Sequence, residues 1–203
     1  MNTERCWEIV EAAREDVKPL WDERTGDDDT LDIVLSEALV ARLGRLSPAE
    51  IVAFECRFAA LCDRIAGRDG IHMAAHLIMR FVGDDGFSDF FAGLVGLGRH
   101  WYERVLENPD NLAEHPAVRR VAAGTLGEYV LLMEGVQFAA STAYEQLTGE
   151  DDAFHEHVER VARALADDLG PAPEPLPRPL RMPRLEAMFP ANLAVLHEVY
   201  DEE

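Results

Sequence analysis

Apolar residues recur along the chain at intervals of three and four, the spacing of one face of an α-helix, and no strict apolar/polar alternation lasts more than a few residues. The pattern predicts a nearly all-α protein. Trp7, Val10, Ala13 and Val17 mark one face of a first helix entered from Asn2 or Thr3, with Pro19 near its end. After the acidic run "GDDDT", Thr30 is placed to cap a second helix striped by Leu31, Val34, Leu35, Ala38 and Leu39, and Gly44 would stop it. The third start is the sharpest. In "LSPAEI", Ser47 stands at the N-cap, Pro48 at the first helical position and Glu50 where a capping box closes, while Leu46 and Ile51 can pack as a hydrophobic staple. The helix that follows would bury Ile51, Phe54, Phe58, Leu61 and Ile65.

"RDG" at Gly70 turns the chain into "IHMAAHLIMRFV", apolar on nearly all sides and so expected to be central. "ENPDNLAEHP" reads as a connector, and a long helical pattern runs from about Ala117 to Thr148, with Gly149 as its C′ residue. Gly124, Gly127 and Gly135 each weaken that helix by about 1 kcal/mol relative to alanine, which predicts a kink or close packing within it. Another helix is expected over Ala153–Leu169. The prolines of "GPAPEPLPRPLRMP" favour an extended strap, and "LEAMFPANLAVLHEVYDEE" reads as a short terminal helix docked by Leu193, Leu196 and Tyr200. The expected organisation is one compact multi-helix domain over 1–170, a Pro-rich extended segment over 171–184 and a docked C-terminal helix over 185–203. No internal repeat is evident.

Composition changes the choice of partner. The 203 residues carry 19 basic and 39 acidic side chains, for a net charge of −20. Such a field repels phosphate backbones, so general nucleic-acid binding and anionic membranes are disfavoured and a basic or neutral partner, protein or small molecule, is expected. Lys18 is the one lysine among the basic residues, which reads first as GC-rich coding and only then as a preference for bidentate pairing. "MNTERCWEIV" lacks a basic segment followed by an apolar one, and no stretch reaches the roughly 18 apolar residues of a span. A cytoplasmic location follows as the expectation. Cys6, Cys56 and Cys62 are odd in number and not at metal-ligand spacing, as expected of buried thiols in a reducing compartment.

Most familiar chemistry is missing. His72 and His76 stand four apart and would share a helix face, but Met73, Ala74 and Ala75 lie between them and no H-E-x-x-H forms, so they are weak metal candidates and hydrogen-bonded helix histidines are the plainer reading. His155 and His157 point apart on a helix and suit a surface. "GLVGLG" at 93–98 has neither the G-x-G-x-x-G order nor a preceding strand, so no dinucleotide cofactor is expected; Gly93 and Gly96 would admit a close neighbour and Gly98 a bend. Neither "GDDDT" nor "GDDGFSD" has the ligand spacing of a calcium loop. Ser36, Ser88 and Ser141 lack a nucleophile elbow. Asp84 and Asp85 stand out because they lie between an apolar helix and an aromatic one, where they could cap a helix or, if buried together, hold one raised pKa.

"DDGFSDF", "GLGRHWYERVL", "NPDNLA" and "AYEQLTG" resemble the uncharacterised bacterial family known as domain of unknown function 4240, over most of Asn2 to Gly149. The resemblance implies a first helix carrying a tryptophan like Trp7, a Ser-Asp-Asp-Gly-Phe box and a Phe-Arg pair before an apolar run ending in Gly-Arg. Here Asp84, Asp85, Gly86, Phe87, Gly98 and Arg99 match, while Gly83 replaces the serine and Phe91 the arginine. No chemistry comes with the motif.

Two functions are consistent with these residues. The first is a non-catalytic binding or interaction module whose acidic exterior recruits a basic partner, with the Asp-Asp-Gly-Phe corner shaping a groove; imitation of nucleic acid is a minor variant. The second is an enzyme using Asp84 and Asp85 with Arg99 on a small anionic substrate, supported by Tyr102, Glu134 or His76. An enzyme needs Asp84, Asp85 and Arg99 to converge in one pocket.

Overall fold

The computed structural model describes residues 1–23, 29–150, 152–162, 169–177 and 179–193. Among these the protein is all-α, with eleven α-helices, one 3-10 helix and no strand. The N-terminal half comprises α1 (Thr3–Glu23), α2 (Asp29–Leu43), α3 (Pro48–Ala66), α4 (Ile71–Met79), α5 (Asp84–Gly96) and α6 (Arg99–Glu107). A 3-10 turn over Pro109–Glu114 forms the connector and leads into α7 (Pro116–Ala122). Then come α8 (Glu134–Gln137), α9 (Ala139–Thr148), α10 (Asp152–Ala162) and α11 (Pro183–Met188).

The hub is α3, which touches α1, α4, α5, α6, α9 and α10. Its start is built as the sequence dictates: the Ser47 hydroxyl and the Glu50 carboxylate each accept the other residue's backbone N–H, with Pro48 at the first helical position. The expected stripe Ile51, Phe54, Phe58, Leu61 and Ile65 is fully buried. Around it α1 packs on α2, and α2 on α8 and α9. Burial of these stripes, each Leu or Phe contributing about 1.5–3 kcal/mol, is the main force joining the helices.

Two expectations about helix ends are corrected. The helix from Ile71 stops at Met79, because Arg80 takes φ 58° and ψ −57°, outside the helical basin. The second helix begins at Asp29, one residue before Thr30. The largest correction is that no continuous helix runs from Ala117 to Thr148. Gly124 adopts φ +67° after α7, and residues 123–133 cross the molecule without helical structure. Tertiary contacts hold that path: the Met133 N–H donates to the Asp89 carbonyl, and the Leu131 carbonyl lies 2.0 Å from where a Cβ on Gly93 would be. The close neighbour that Gly93 admits is thus an irregular segment. Gly149 does end α9 in the left-handed conformation, at φ 73°.

Three short helices whose N-cap residues supply no side-chain bond receive a carboxylate from a distant element. Glu11 accepts the Arg99 N–H that opens α6, Asp32 accepts the N–H groups of Gly135 and Val136 in α8, and Asp110 accepts those of Arg184 and Leu185 in α11. Each satisfies orphan donors and lies at the positive end of the helix dipole. The C-terminal stretch is non-helical over residues 169–177 and 179–182 and leads into α11, which rests on the 3-10 turn and α4. Leu196 and Tyr200 of the expected terminal helix, and residues 163–168 of the expected helix before the strap, lie outside the described residues.

Candidate functional site

The Asp-Asp-Gly-Phe motif sits at the corner between α4 and α5. Gly83 occupies the N-cap of α5 in extended backbone and has no side chain to offer, so no side-chain cap forms. Asp84 and Asp85 occupy the first turn, exposed, where the helix dipole favours their charge. They are neither buried together nor bonded as caps. Ahead of them Arg80 holds its positive φ, the Phe81 N–H closes a tight turn onto the Met79 carbonyl at 2.6 Å, and the Arg80 guanidinium lies 5.3 Å over the Phe81 ring. Phe81 itself is 64% exposed.

Phe87 faces the other way, into a cluster with His72, His76 and Phe91. The His72 imidazole meets Phe87 edge-on at 4.6 Å and Phe91 at 5.4 Å, and His76 meets Phe87 at 5.4 Å. Burial first, and then the neighbouring His76, lower the His72 pKa. Among the described residues no group of three or more His, Cys, Asp or Glu side chains is arranged to hold a metal ion. The two histidines are packing partners of aromatic rings.

Arg99 opens α6, beyond the C-terminal end of α5. α5 runs unbroken from Asp84 to Gly96 and separates the acids from Arg99 by about 20 Å at 1.5 Å per residue. Arg99 donates to Glu103 and to Glu4, each at 2.8 Å, and these hydrogen bonds raise its pKa, that to Glu103 most. The convergence of Asp84, Asp85 and Arg99 that the enzyme reading requires therefore does not occur. Tyr102, by contrast, stays with Arg99: both line a cavity of about 350 Å³ beside Glu4, Trp7 and Arg64. The buried Tyr102 hydroxyl donates to the Leu61 carbonyl at 2.9 Å, its ring packs 5.1 Å from Trp7, and burial pushes its phenol well up.

Glu134, exposed at the start of α8, joins a different group. Asp89 on α5 is partly buried, and burial first, then the charges of Glu134, Asp32 and Asp85, raise its pKa to about 6. The structure thus gathers Asp85 and Glu134 with Asp89 and Asp32, two acids that sequence reasoning passed over. The signal for Asp89 was its place four residues after Asp85, one turn along the same helix face. Asp32 is spent on the α8 backbone.

The fold and this corner define a helical, acidic protein with a conspicuous α4–α5 turn. The chain belongs to the family described as protein of unknown function (DUF4240), whose model matches residues 1–146. That span covers α1 to most of α9 and leaves α10, the strap and α11 beyond it. No curated protein and no solved structure matches the chain. No described helix is long and apolar enough to cross a membrane.

Proposed function

We propose that the protein is a non-catalytic interaction module that docks a basic protein partner through the α4–α5 corner. The observation that carries this reading is Phe81, a phenylalanine 64% exposed at a turn whose preceding residue holds φ 58°. Leaving a phenylalanine in water forgoes about 1.5–3 kcal/mol of burial, and a non-glycine residue at positive φ costs about 1–3 kcal/mol. Both costs fall beside the family motif, with the Asp84 and Asp85 carboxylates free on the same turn. An apolar hole rimmed by arginine or lysine would bury the ring and pair the acids, and the net charge of −20 would steer such a partner inward. The enzyme reading has one observation in its favour, the near-neutral carboxyl of Asp89 beside Asp85 and Glu134; Arg99 has no part in it.

Capture from native lysate by the wild type, by Phe81→Ser and by Asp84→Asn/Asp85→Asn tests the docking reading. A partner retained by the wild type at low salt should be lost about tenfold or more in both variants, with melting temperatures unchanged. Equal capture by all three proteins overturns it. Loss of a measurable turnover in Asp89→Asn would favour the enzyme.

A further inference from the structure

From the C-terminal end of α3 to the 3-10 turn and α4 runs a groove that the C-terminal strap and α11 fill. Its polar side chains meet the strap at the main chain. The Arg64 guanidinium donates to the carbonyls of Leu169, Gly170 and Pro171 at 2.7, 3.1 and 2.5 Å, Arg68 donates to that of Glu174 at 2.6 Å, and Asp69 accepts the Leu176 N–H at 3.2 Å. Gly70 adds a side-chain pocket: it holds φ +78°, and a Cβ there would lie 2.6 Å from the Met182 methyl. Asp110 closes the far end. It is 3% exposed, and every hydrogen bond of its carboxylate goes to Arg184 or Leu185 of the occupant.

A groove that reads main chain selects shape more than side chains. Pro171, Pro173, Pro175 and Pro177 fix φ and remove N–H groups, so the segment is extended before it docks and brings few donors in need of partners. Its carbonyls are left in excess, which suits the arginine forks. Charge points the same way: residues 169–193 hold three arginines and two glutamates, in a chain with 39 acidic side chains against 19 basic ones. Arg64, Arg68, Asp69, Gly70 and Asp110 all lie within residues 1–146, the span shared with the family, and the strap lies wholly beyond it. The groove belongs to the family's span and its occupant does not.

We infer that this groove is a docking site for an extended, proline-rich, basic segment of a partner protein, and that residues 169–193 are its tethered occupant, displaced when such a segment takes their place. Preformed extended segments dock at a low entropic cost, which makes proline the fitting component of the ligand. The tether sets the threshold. A linked segment acts at an effective concentration on the order of millimolar, so a competitor must approach that level or add contacts of its own. The groove uses no residue of the α4–α5 turn and does not depend on docking there.

The probe is a fluorescent synthetic peptide with the sequence of residues 169–193, titrated by anisotropy into the full chain carrying Met182→Asp/Leu185→Asp. These changes remove two buried anchors of the strap and leave every groove residue in place. This chain, with the helical dichroism of the wild type, should bind the peptide saturably and at least about tenfold more tightly than the wild type does. Adding Arg64→Met should weaken binding about tenfold, as should a peptide with alanine at its first four prolines or one with glutamate for its arginines. A peptide with serine in place of Ala172, Glu174 and Leu176 should bind within about threefold of the original, because those side chains are not read. Absence of saturable binding below about 1 mM, alanine and proline peptides bound equally, or binding undiminished by Arg64→Met overturns the inference. If the strap variant fails to fold, the wild type decides: with isotope label in the chain alone, unlabelled peptide at about 5 mM should move the Leu176 and Leu185 N–H signals, and signals that stay in place overturn it. Sedimentation of the wild type as a dimer that the peptide dissociates would seat a second copy's strap in the groove and overturn the partner reading.

Discussion

The helical body, α1 to α9, and the C-terminal stretch from Leu169 to Leu193 are attached by different physics. The body is joined by apolar faces: Leu35, Leu39, Leu43, Ile51, Phe54, Leu61 and Ile65 are almost wholly removed from water around α3. The C-terminal stretch is held largely by body side chains that bond its backbone. Arg64 donates to the carbonyls of Leu169, Gly170 and Pro171, Arg68 to that of Glu174, and Asp69 accepts the Leu176 N–H. Asp110 caps α11, Met182, Leu185 and Phe189 are the buried anchors, and the Asn192 amide donates to the Leu77 carbonyl. Proline explains the choice of partners. A Pro-rich segment has carbonyls with no ladder or helix to accept them, and an arginine fork supplies the missing donors. Apolar burial tolerates many sequences of the right shape, whereas backbone reading demands particular polar residues at particular places.

The body should therefore fail as a unit. Phe54, 2% exposed and stacked 5.8 Å from Phe58, lies on the hub helix α3, and Phe54→Ala should cost about 3–5 kcal/mol. Thermal melting should show one transition displaced downward by about 10 °C or more, with near-ultraviolet and far-ultraviolet dichroism lost together. Two separated transitions would mean that body and C-terminal stretch fold independently, and the contrast would have to be redrawn as two domains.

Titration probes the body at one buried cap. His115 has its folded pKa lowered from 6.5 to about 4 by burial and then by Arg14, so between those values the unfolded chain binds the extra proton. Its contribution is thus complete above pH 6.5 and is lost as pH falls to about 4, a change of about 3 kcal/mol. Glu55 and Asp89 act in the opposite sense. Burial raises them from 4.5 to about 7 and from 3.8 to about 6, so the stability tied to them is present at low pH and lost as pH rises through those windows. The wild-type profile should therefore be flatter than either slope alone. Urea unfolding across that range should show wild type and His115→Asn drawing apart as pH rises from about 4 to 6.5. A constant gap would show that His115 does not titrate against the fold.

What could be read from sequence follows the same division. The start of α3 was legible because Ser47, Pro48 and Glu50 bond within one turn, and the apolar stripes were legible because burial follows periodicity. The stretch after α7 was not, because its path is set by Asp89 and Gly93, some forty positions earlier, overriding a local helical pattern. The candidate site failed for a similar reason. The corner at Asp84 and Asp85 could be located, but Arg99 is directed by Glu4 and Glu11, which lie 95 and 88 positions away. Glu11, Asp32 and Asp110 cap helices remote in sequence, and among 39 acids nothing marks them. For His115 a signal was present: His115-Pro116 before an apolar run places a side chain at an N-cap and proline at N1.

The smallest expected effect is the most specific to the C-terminal stretch. Asp110 is 3% exposed, and its carboxylate accepts the N–H groups of Arg184 and Leu185 and the Arg184 Nε–H. Arg184 also donates to Asn111 and pairs with Glu114, so removing Asp110 leaves it a second acidic partner while α11 loses its cap. Asp110→Ala should cost about 2 kcal/mol, the upper range for a cap, and the loss should be local. Limited proteolysis should then cut between Leu176 and Phe189 several-fold faster than in the wild type, with amide exchange accelerated in α11 and unchanged in α3. Because Asp110 belongs to the 3-10 turn that also touches α4, α6 and α7, spread of the damage into the body is the outcome that would break the comparison. Exchange rising in α3 as much as in α11 would place the C-terminal stretch within the cooperative core, its polar attachment notwithstanding.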